Sequence, residues 1–346
     1  DRSAIVGGFE PRSVILTTTL TSTPSLDIGG LLGSLSRYPY GCIEQTTSKT
    51  LALIYYNDLA ESAGLPPLDD LRERVAAGVR RMLSMQRFDG SFGYWSAEDA
   101  AEPWLTTYAL DALLRAKDAG YDVPDFRLER GLAWLKKHGD DHGVPTYSFA
   151  NYILAKAGKG RPAELRYFVD TFFDNLSATY LAAQQAVHFR RIGDEDRYAR
   201  LMQTLEGPVG SRAFGRSDFG SNLRDAAAMI VMMAEAGVQR SRLTELVSRM
   251  LESFDRERYV STQEKAWLVL AAKSAIGNEK PISATVDGAT LQSDRGTISL
   301  AFAPDDIEGT IEIENTGENV MYVRTTVEGS PNYDIAAIAE GLEIKK

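Results

Sequence analysis

The sequence predicts an α + β fold: an α/α toroid of about six helical hairpins, inserted into an antiparallel β-sandwich. Alanine-rich apolar helices recur through the middle of the chain. Each ends on a glycine placed as a C-cap, at Gly64, Gly120, Gly158, Gly193, Gly237 and Gly277. β-branched strand texture brackets this helical run on both sides. The expected divisions are residues 1–26 as the first part of a β domain, 27–278 as the toroid, and 279–346 as the rest of the β domain with the start of a following linker or domain.

In chain order, Ser13 to Thr21 is β-branched and short, as a strand should be. Helical sequence takes over near Ile28 and lasts to about Ala275. The stretches Trp104 to Gly120 and Ser261 to Gly277 are apolar nearly all round, as inner helices of a ring would be. Between such stretches lie amphipathic ones, among them Leu71 to Met85, Phe126 to Lys137 and Leu243 to Phe254, which suit an outer layer. An open solenoid would need polar caps on its terminal repeats. None is evident, so a closed ring is the expectation. After Pro281 the strand texture returns at Ile282–Val286, Thr297–Phe302, Gly309–Ile313 and Met321–Val327. Turn signals separate these strands at Asp287-Gly288, Asp305-Asp306 and Asn315-Thr316-Gly317.

Composition narrows the function. Length and an apolar fraction of 44% allow more than one core. A formal charge of −10 argues against nucleic-acid binding. A single cysteine excludes an internal disulfide framework and a cysteine-rich zinc site. No cofactor motif is present, and no apolar run is long enough for a membrane-spanning helix. The chain begins at Asp1 rather than Met and reads as a piece of something longer.

The one cysteine lies in Tyr38-Pro39-Tyr40-Gly41-Cys42-Ile43-Glu44-Gln45-Thr46-Thr47, directly before an apolar helical run. Residues three apart at a helix start share a face, so the Cys42 thiol can meet the Gln45 carboxamide. A thiolate attacking that carboxamide would expel ammonia and leave an internal thioester. The helix N-terminus should lower the thiol pKa and supply N–H groups for an oxyanion. A thioester must also be screened from water, and Tyr38 and Tyr40, stiffened by Pro39, are suited to that. Cys-x-x-Gln by itself is a weak signal, because a lone buried cysteine is more often inert core.

The longer string closely resembles the thioester motif of the bacterial alpha-2-macroglobulins. Their animal relatives carry a Gly-Cys-Gly-Glu-Gln version, and Ile43 stands here in place of the inner glycine. The resemblance implies a Cys42–Gln45 thioester within an α/α toroid, inserted into a CUB-like β-sandwich. It implies a broad-spectrum protease trap rather than an enzyme: bait cleavage releases the thioester, and lysine amines of the attacking protease are captured in a single turnover. Tryptophans of the loop region, Trp95 or Trp104, would join the shield. The partners implied are target proteases and neighbouring macroglobulin domains. The parent would be periplasmic and lipid-anchored to the inner membrane.

Other candidates are weaker. Gln86 to Trp95 resembles a repeat of terpene cyclases, another toroid family, but occurs once and lacks their acidic cluster. The loop could simply pack Phe92, Tyr94 and Trp95. His138 and His142 are spaced for a metal on a helix, yet Gly139 and Gly143 make that stretch read as loop. Glu44 reads as ordinary dipole complementation in a first helical turn. Two alternatives remain: a toroid enzyme, either cyclase-like or a thiol hydrolase using Cys42, and a scaffold with an unreactive Cys-x-x-Gln. A hydrolase would need a histidine beside Cys42. Some complement proteins that the motif resembles use a histidine well downstream of the thioester to pass the acyl group to hydroxyls. The comparable region here, around Pro145 to Tyr152, contains none, although His142 is close by, and that departure from the resemblance favours amines.

Overall fold

The computed structural model describes residues 8–22, 31, 35, 41–62, 67–176, 179–205, 218–254, 260–275, 280–302, 309–330 and 332. The chain forms two compact units: Asp1–Ser25 together with Glu279–Lys346, and Leu26–Asn278.

The first unit is built from two three-stranded antiparallel sheets. Strand β1 (Ile15–Thr21) lies between β4 (Thr297–Phe302) and β6 (Tyr322–Glu328), so the amino-terminal strand is the centre of a sheet otherwise made at the far end of the sequence. Strand β2 (Ile282–Val286) lies between β3 (Ala289–Ser293) and β5 (Ile313–Asn315). Alternation along β1 buries Leu16, Thr18 and Leu20, and Leu20 shares a core with Ile282, Ala284 and Val286 of β2. A face-to-face pair of sheets follows. Asp287 and Gly288 both have positive φ, 47° and 82°, which is the tight turn that joins β2 to β3. Two details differ from the sequence expectation. Ala289–Ser293 is a further strand, and pairing around Gly309–Ile313 begins only at Ile313, where β2 offers its ladder.

The second unit is a closed ring of helices. Its inner members are α1 (Ile43–Ile54), α4 (Pro103–Asp118), α6 (Gly143–Lys156), α8 (Tyr180–Ile192), α10 (Asn222–Glu235) and α12 (Thr262–Ala275). Each packs on the next, and α12 packs back on α1. The outer layer described is α3 (Leu71–Ser84), α5 (Asp125–His138), α7 (Pro162–Leu176), α9 (Glu195–Thr204) and α11 (Arg240–Phe254), while the short α2 (Tyr56–Ser62) extends α1. Inner and outer helices differ in their burial. Helix α4 is buried continuously from Trp104 to Ala116, whereas α3 buries only the stripe Leu71, Val75, Val79 and Met82. Among the described capping glycines, Gly193 ends α8 in the left-handed region at φ 70°, and its N–H bonds the Phe189 carbonyl. Gly64 and Gly277 lie outside the described residues.

Because each outer helix returns the chain, the inner helices run the same way and their N-termini share one end of the ring. At the opposite end Asp111, Arg115, Tyr152, Lys156 and Glu235 form a buried ionic cluster across α4, α6 and α10. Despite burial, the cations of Lys156 and Arg115 hold the Glu235 carboxyl down to about 2. Polar groups in the wall pair with one another, as where Ser148 Oγ meets Gln184 Oε1 at 2.6 Å and Gln185 Nε2 at 2.7 Å.

The outer helix behind α1 approaches very closely. A Cβ added to Gly78 would lie 2.1 Å from Thr50 Oγ1, which donates to the Thr46 carbonyl inside α1. Gly78→Ala is therefore expected to lower unfolding free energy by about 1–3 kcal/mol, measured by urea denaturation. Adding Thr50→Ala should restore most of it, and full additivity of the two would refute the contact.

His188 is buried on α8, and neither ring nitrogen has a hydrogen-bond partner among the described residues. Burial, with Arg166 and Arg191 nearby, holds the imidazole below its ordinary value. The folded state thus binds fewer protons than the unfolded state between the lowered value and the ordinary ~6.5. Stability from this site is complete above ~6.5 and falls as pH drops through that window. His188→Leu should flatten the decline below pH ~6.5 in thermal melts. An unchanged slope would count against it.

Candidate functional site

Helix α1 begins with a reciprocal cap. Cys42 is the N-cap residue, with extended backbone at φ −66° and ψ 168°. Its sulfur accepts the backbone N–H of Gln45, and the Gln45 side chain folds back so that Oε1 accepts the Cys42 N–H at 3.4 Å. This is a capping box with sulfur in the place usually taken by a hydroxyl. The next amide, on Ile43, donates to the Tyr94 carbonyl at 2.9 Å, and the Thr46 N–H closes the first helical bond on the Cys42 carbonyl. Cys42 is 2% exposed. The two residues singled out in the sequence thus share one turn, the side chain of each bonded to the backbone of the other, with Cys42 buried and Gln45 half-buried.

The electrostatics differ from expectation in one respect. A helix N-terminus was expected to lower the Cys42 pKa, but the thiol is pushed up. Burial is the largest cause, and the Glu44 charge adds to it. Backbone N–H groups of Gln45 and Glu44 do pull the other way, but they do not outweigh the loss of water.

Glu44 has more partners than a helix-dipole residue needs. Its Oε1 accepts from Ser48 Oγ at 2.8 Å, and Thr262 Oγ1 reaches both carboxylate oxygens, at 3.0 and 2.8 Å. Ser48 Oγ is also 3.0 Å from the Tyr108 hydroxyl. The carboxylate therefore joins α1, α4 and α12 where the ring closes. Burial raises its pKa, and the two hydroxyl donors offset part of that rise. Position in the motif was the available signal for Glu44. Thr262 and Tyr108 had none, since the fold alone brings them near.

The loop before α4 is stitched to both sides of Cys42. The Arg81 guanidinium on α3 donates to the Gly41 carbonyl at 3.2 Å and the Trp95 carbonyl at 3.3 Å. Asp99 Oδ2 accepts from the N–H groups of Trp95 and Ser96. The Tyr94 hydroxyl is raised by burial and by the charges of Cys42, Glu44 and Glu102, which places it in the field of the site. Its ring lies 6.4 Å from Phe219, which in turn is 6.2 Å from Trp104. Of the tryptophans singled out in the sequence, Trp95 is 50% exposed and Trp104 is buried against Tyr108 and Phe149 inside the ring. Tyr94, from the same loop, is the aromatic that the sequence had offered only as packing. Tyr38 and Tyr40 lie outside the described residues.

The histidines are placed elsewhere. His138 ends α5, and Gly139–His142 forms a 3-10 turn rather than an irregular loop; both rings pack on Trp134, at 5.1 and 6.3 Å. His188 packs beside Phe189 and Gly160. Among the described residues no group of histidine, cysteine and carboxylate side chains is arranged to hold a metal ion.

A helical ring with Cys42 and Gln45 capping its first inner helix, carried between the two parts of a β unit, has the architecture of a macroglobulin thioester domain. The family model for the A-macroglobulin TED domain matches residues 16–153. Alpha-2-macroglobulin of Escherichia coli K12 is 28% identical over 342 residues, covering 93% of this chain and 21% of that protein. The structure of Salmonella alpha-2-macroglobulin reacted with methylamine superposes at a TM-score of 0.84 with 27% identity, over 96% of this chain and 23% of that one. Escherichia coli alpha-2-macroglobulin activated by porcine elastase gives 0.64 with 25% identity, over 96% and 31%. Over nearly its whole length the chain is similar to the bacterial alpha-2-macroglobulins. It spans about a fifth of the length of the full-length relatives it matches.

With the sulfur as a free thiol, the pH dependence of Cys42 alkylation by iodoacetamide should have its midpoint above the ordinary ~8.5. A midpoint at or below that value would mean that the N–H groups outweigh burial.

Proposed function

We propose that this chain is the acylating part of a protease trap. The observation that carries the reading is the paired cap at the start of α1, where the half-buried Gln45 carboxamide folds back onto the backbone of the buried Cys42. In that arrangement the Cys42 sulfur displaces ammonia from the Gln45 side chain and forms an internal thioester. Relatives support it: Salmonella alpha-2-macroglobulin has been reacted with methylamine, and Escherichia coli alpha-2-macroglobulin has been activated by porcine elastase.

In the trap, cleavage of a bait segment elsewhere in the parent moves its macroglobulin domains and uncovers the bond. A lysine amine of the attacking protease then attacks the Gln45 carbonyl, which leaves an amide and a free Cys42 thiol. Each molecule reacts once, so it is an inhibitor consumed stoichiometrically and not an enzyme. In this proposal Tyr94, whose carbonyl accepts the Ile43 N–H, joins Tyr38, Tyr40 and the loop tryptophans Trp95 and Trp104 as the aromatic screen. The parent is proposed to work in the periplasm, lipid-anchored to the inner membrane. A thiol hydrolase is disfavoured by the placement of all three histidines away from Cys42.

Intact-mass measurement tests the reading directly. The chain should weigh one ammonia less than its sequence, and methylamine should add its own mass while releasing one titratable thiol. Cys42→Ser should abolish both changes. A full-mass chain that is inert to methylamine, in a preparation retaining the flanking macroglobulin domains, would overturn the proposal.

A further inference from the structure

Glu44 presents a chemistry that the capping arrangement does not require. Its carboxylate is held by two neutral donors, Ser48 Oγ and Thr262 Oγ1, which orient it without neutralising it. Among the described residues no cation pairs with it, although nineteen other contacts between acidic and basic side chains do form. Its charge acts on both the Cys42 thiol and the Tyr94 hydroxyl. A half-buried anion with oriented oxygens, one residue from the reacting pair, lacks only a cationic partner.

We propose that Glu44 is the proton acceptor for the incoming nucleophile, and that it selects cationic amines over uncharged hydroxyls. The inference rests on the thioester reading above. A lysine side chain arrives as an ammonium ion and cannot attack until it loses a proton. The Glu44 carboxylate draws in that cation and takes one proton, giving a neutral amine and a carboxylic acid. The nitrogen lone pair adds to the Gln45 acyl carbon, the carbon–sulfur bond breaks, and its electron pair leaves with sulfur. The surplus proton on nitrogen ends on sulfur. The products are the amide at Gln45, the Cys42 thiol and protonated Glu44, which returns its proton to water. An alcohol gains nothing from the attraction, and a carboxylate is too weak a base to ionise it usefully.

Thr262 follows as a positioning residue. It reaches across the ring closure from α12, and its hydroxyl donates to the carboxylate and stabilises the ionised form. Among the described residues, the titratable groups that the Glu44 charge acts on are Cys42, Tyr94 on the loop and Tyr108 on α4. Both tyrosines are raised, and Cys42 carries no proton once acylated, so the acid limb of the reaction belongs to Glu44.

The test compares thioester cleavage by methylamine, which is cationic at neutral pH, with cleavage by hydroxylamine, which is neutral there. Both are followed by thiol release in the protein that retains its flanking macroglobulin domains. Glu44→Gln should slow methylamine by about tenfold or more while changing hydroxylamine far less. A purely structural loss would slow both alike. Thr262→Val keeps the motif intact and removes one donor to the carboxylate. It should move the acid limb of the methylamine pH profile upward, after correction for the amine's own ionisation. If Glu44→Gln does not acquire the thioester, the Thr262→Val profile decides. Equal effects on the two nucleophiles in Glu44→Gln, or an unmoved profile in Thr262→Val, would overturn the inference. Absence of the ammonia deficit in the unmodified protein would instead overturn the thioester reading beneath it.

Discussion

The first amides of helix α1 have no helical carbonyl to meet, and the rest of the site is organised by how they are satisfied. A hydroxyl at the N-cap would have been enough for the helix. With sulfur there, the Gln45 N–H is spent on Cys42, the Cys42 N–H on the Gln45 side chain, and the Ile43 N–H on the Tyr94 carbonyl. Each bond does two things: it removes an unpaired buried donor, and it places a reactive or screening group. The loop before α4 is fixed by the same requirement, since Tyr94 can supply its carbonyl only if Arg81 and Asp99 hold the neighbouring backbone.

The ring makes that arrangement rigid. Six inner helices running in one direction bring six N-termini to one end, and the groups capping them meet across the mouth. Ser221, which caps α10, bonds Glu264 on α12; Thr262 on α12 bonds Glu44 on α1. Closure therefore passes through the residue beside Cys42. Arg224 on α10, buried beneath the mouth, faces the rings of Trp104 and Tyr180 and is paired with Asp218 and Asp225. Polar groups at this depth are tolerated because nearly every charge has a partner, as in the ionic cluster at the far end.

Periodicity and end signals made the helices readable in the sequence, since a ring position that is buried all round leaves no polar face. The glycines at 120, 158, 193 and 237 marked helix ends because only an αL residue ends them that way. The Cys42–Gln45 pair was legible for the same reason: it is local, three residues apart on one turn. What the sequence could not show is non-local. Tyr94 meets α1 through a loop whose course depends on Arg81 of another helix. Glu44 looked ordinary because its distinguishing partner, Thr262, is 218 residues away. The thiol pKa was misjudged in sign because burial, unlike a helix terminus, has no sequence signature.

That raised pKa has a consequence for a stored acyl bond. A thiolate that is poorly stabilised is a slow leaving group, so the burial that pushes the Cys42 thiol up also retards cleavage of a thioester made from it. Water is excluded by the same atoms, which lowers the concentration of the competing nucleophile. Exposure reverses both effects at once: solvent reaches the carbonyl, and the departing sulfur is stabilised by water in addition to the Glu44 and Gln45 amides. The proposed trap would need a bond that is stable until triggered and quick afterwards. A desolvated sulfur over a fixed set of amide donors would meet that need with one variable, its access to water.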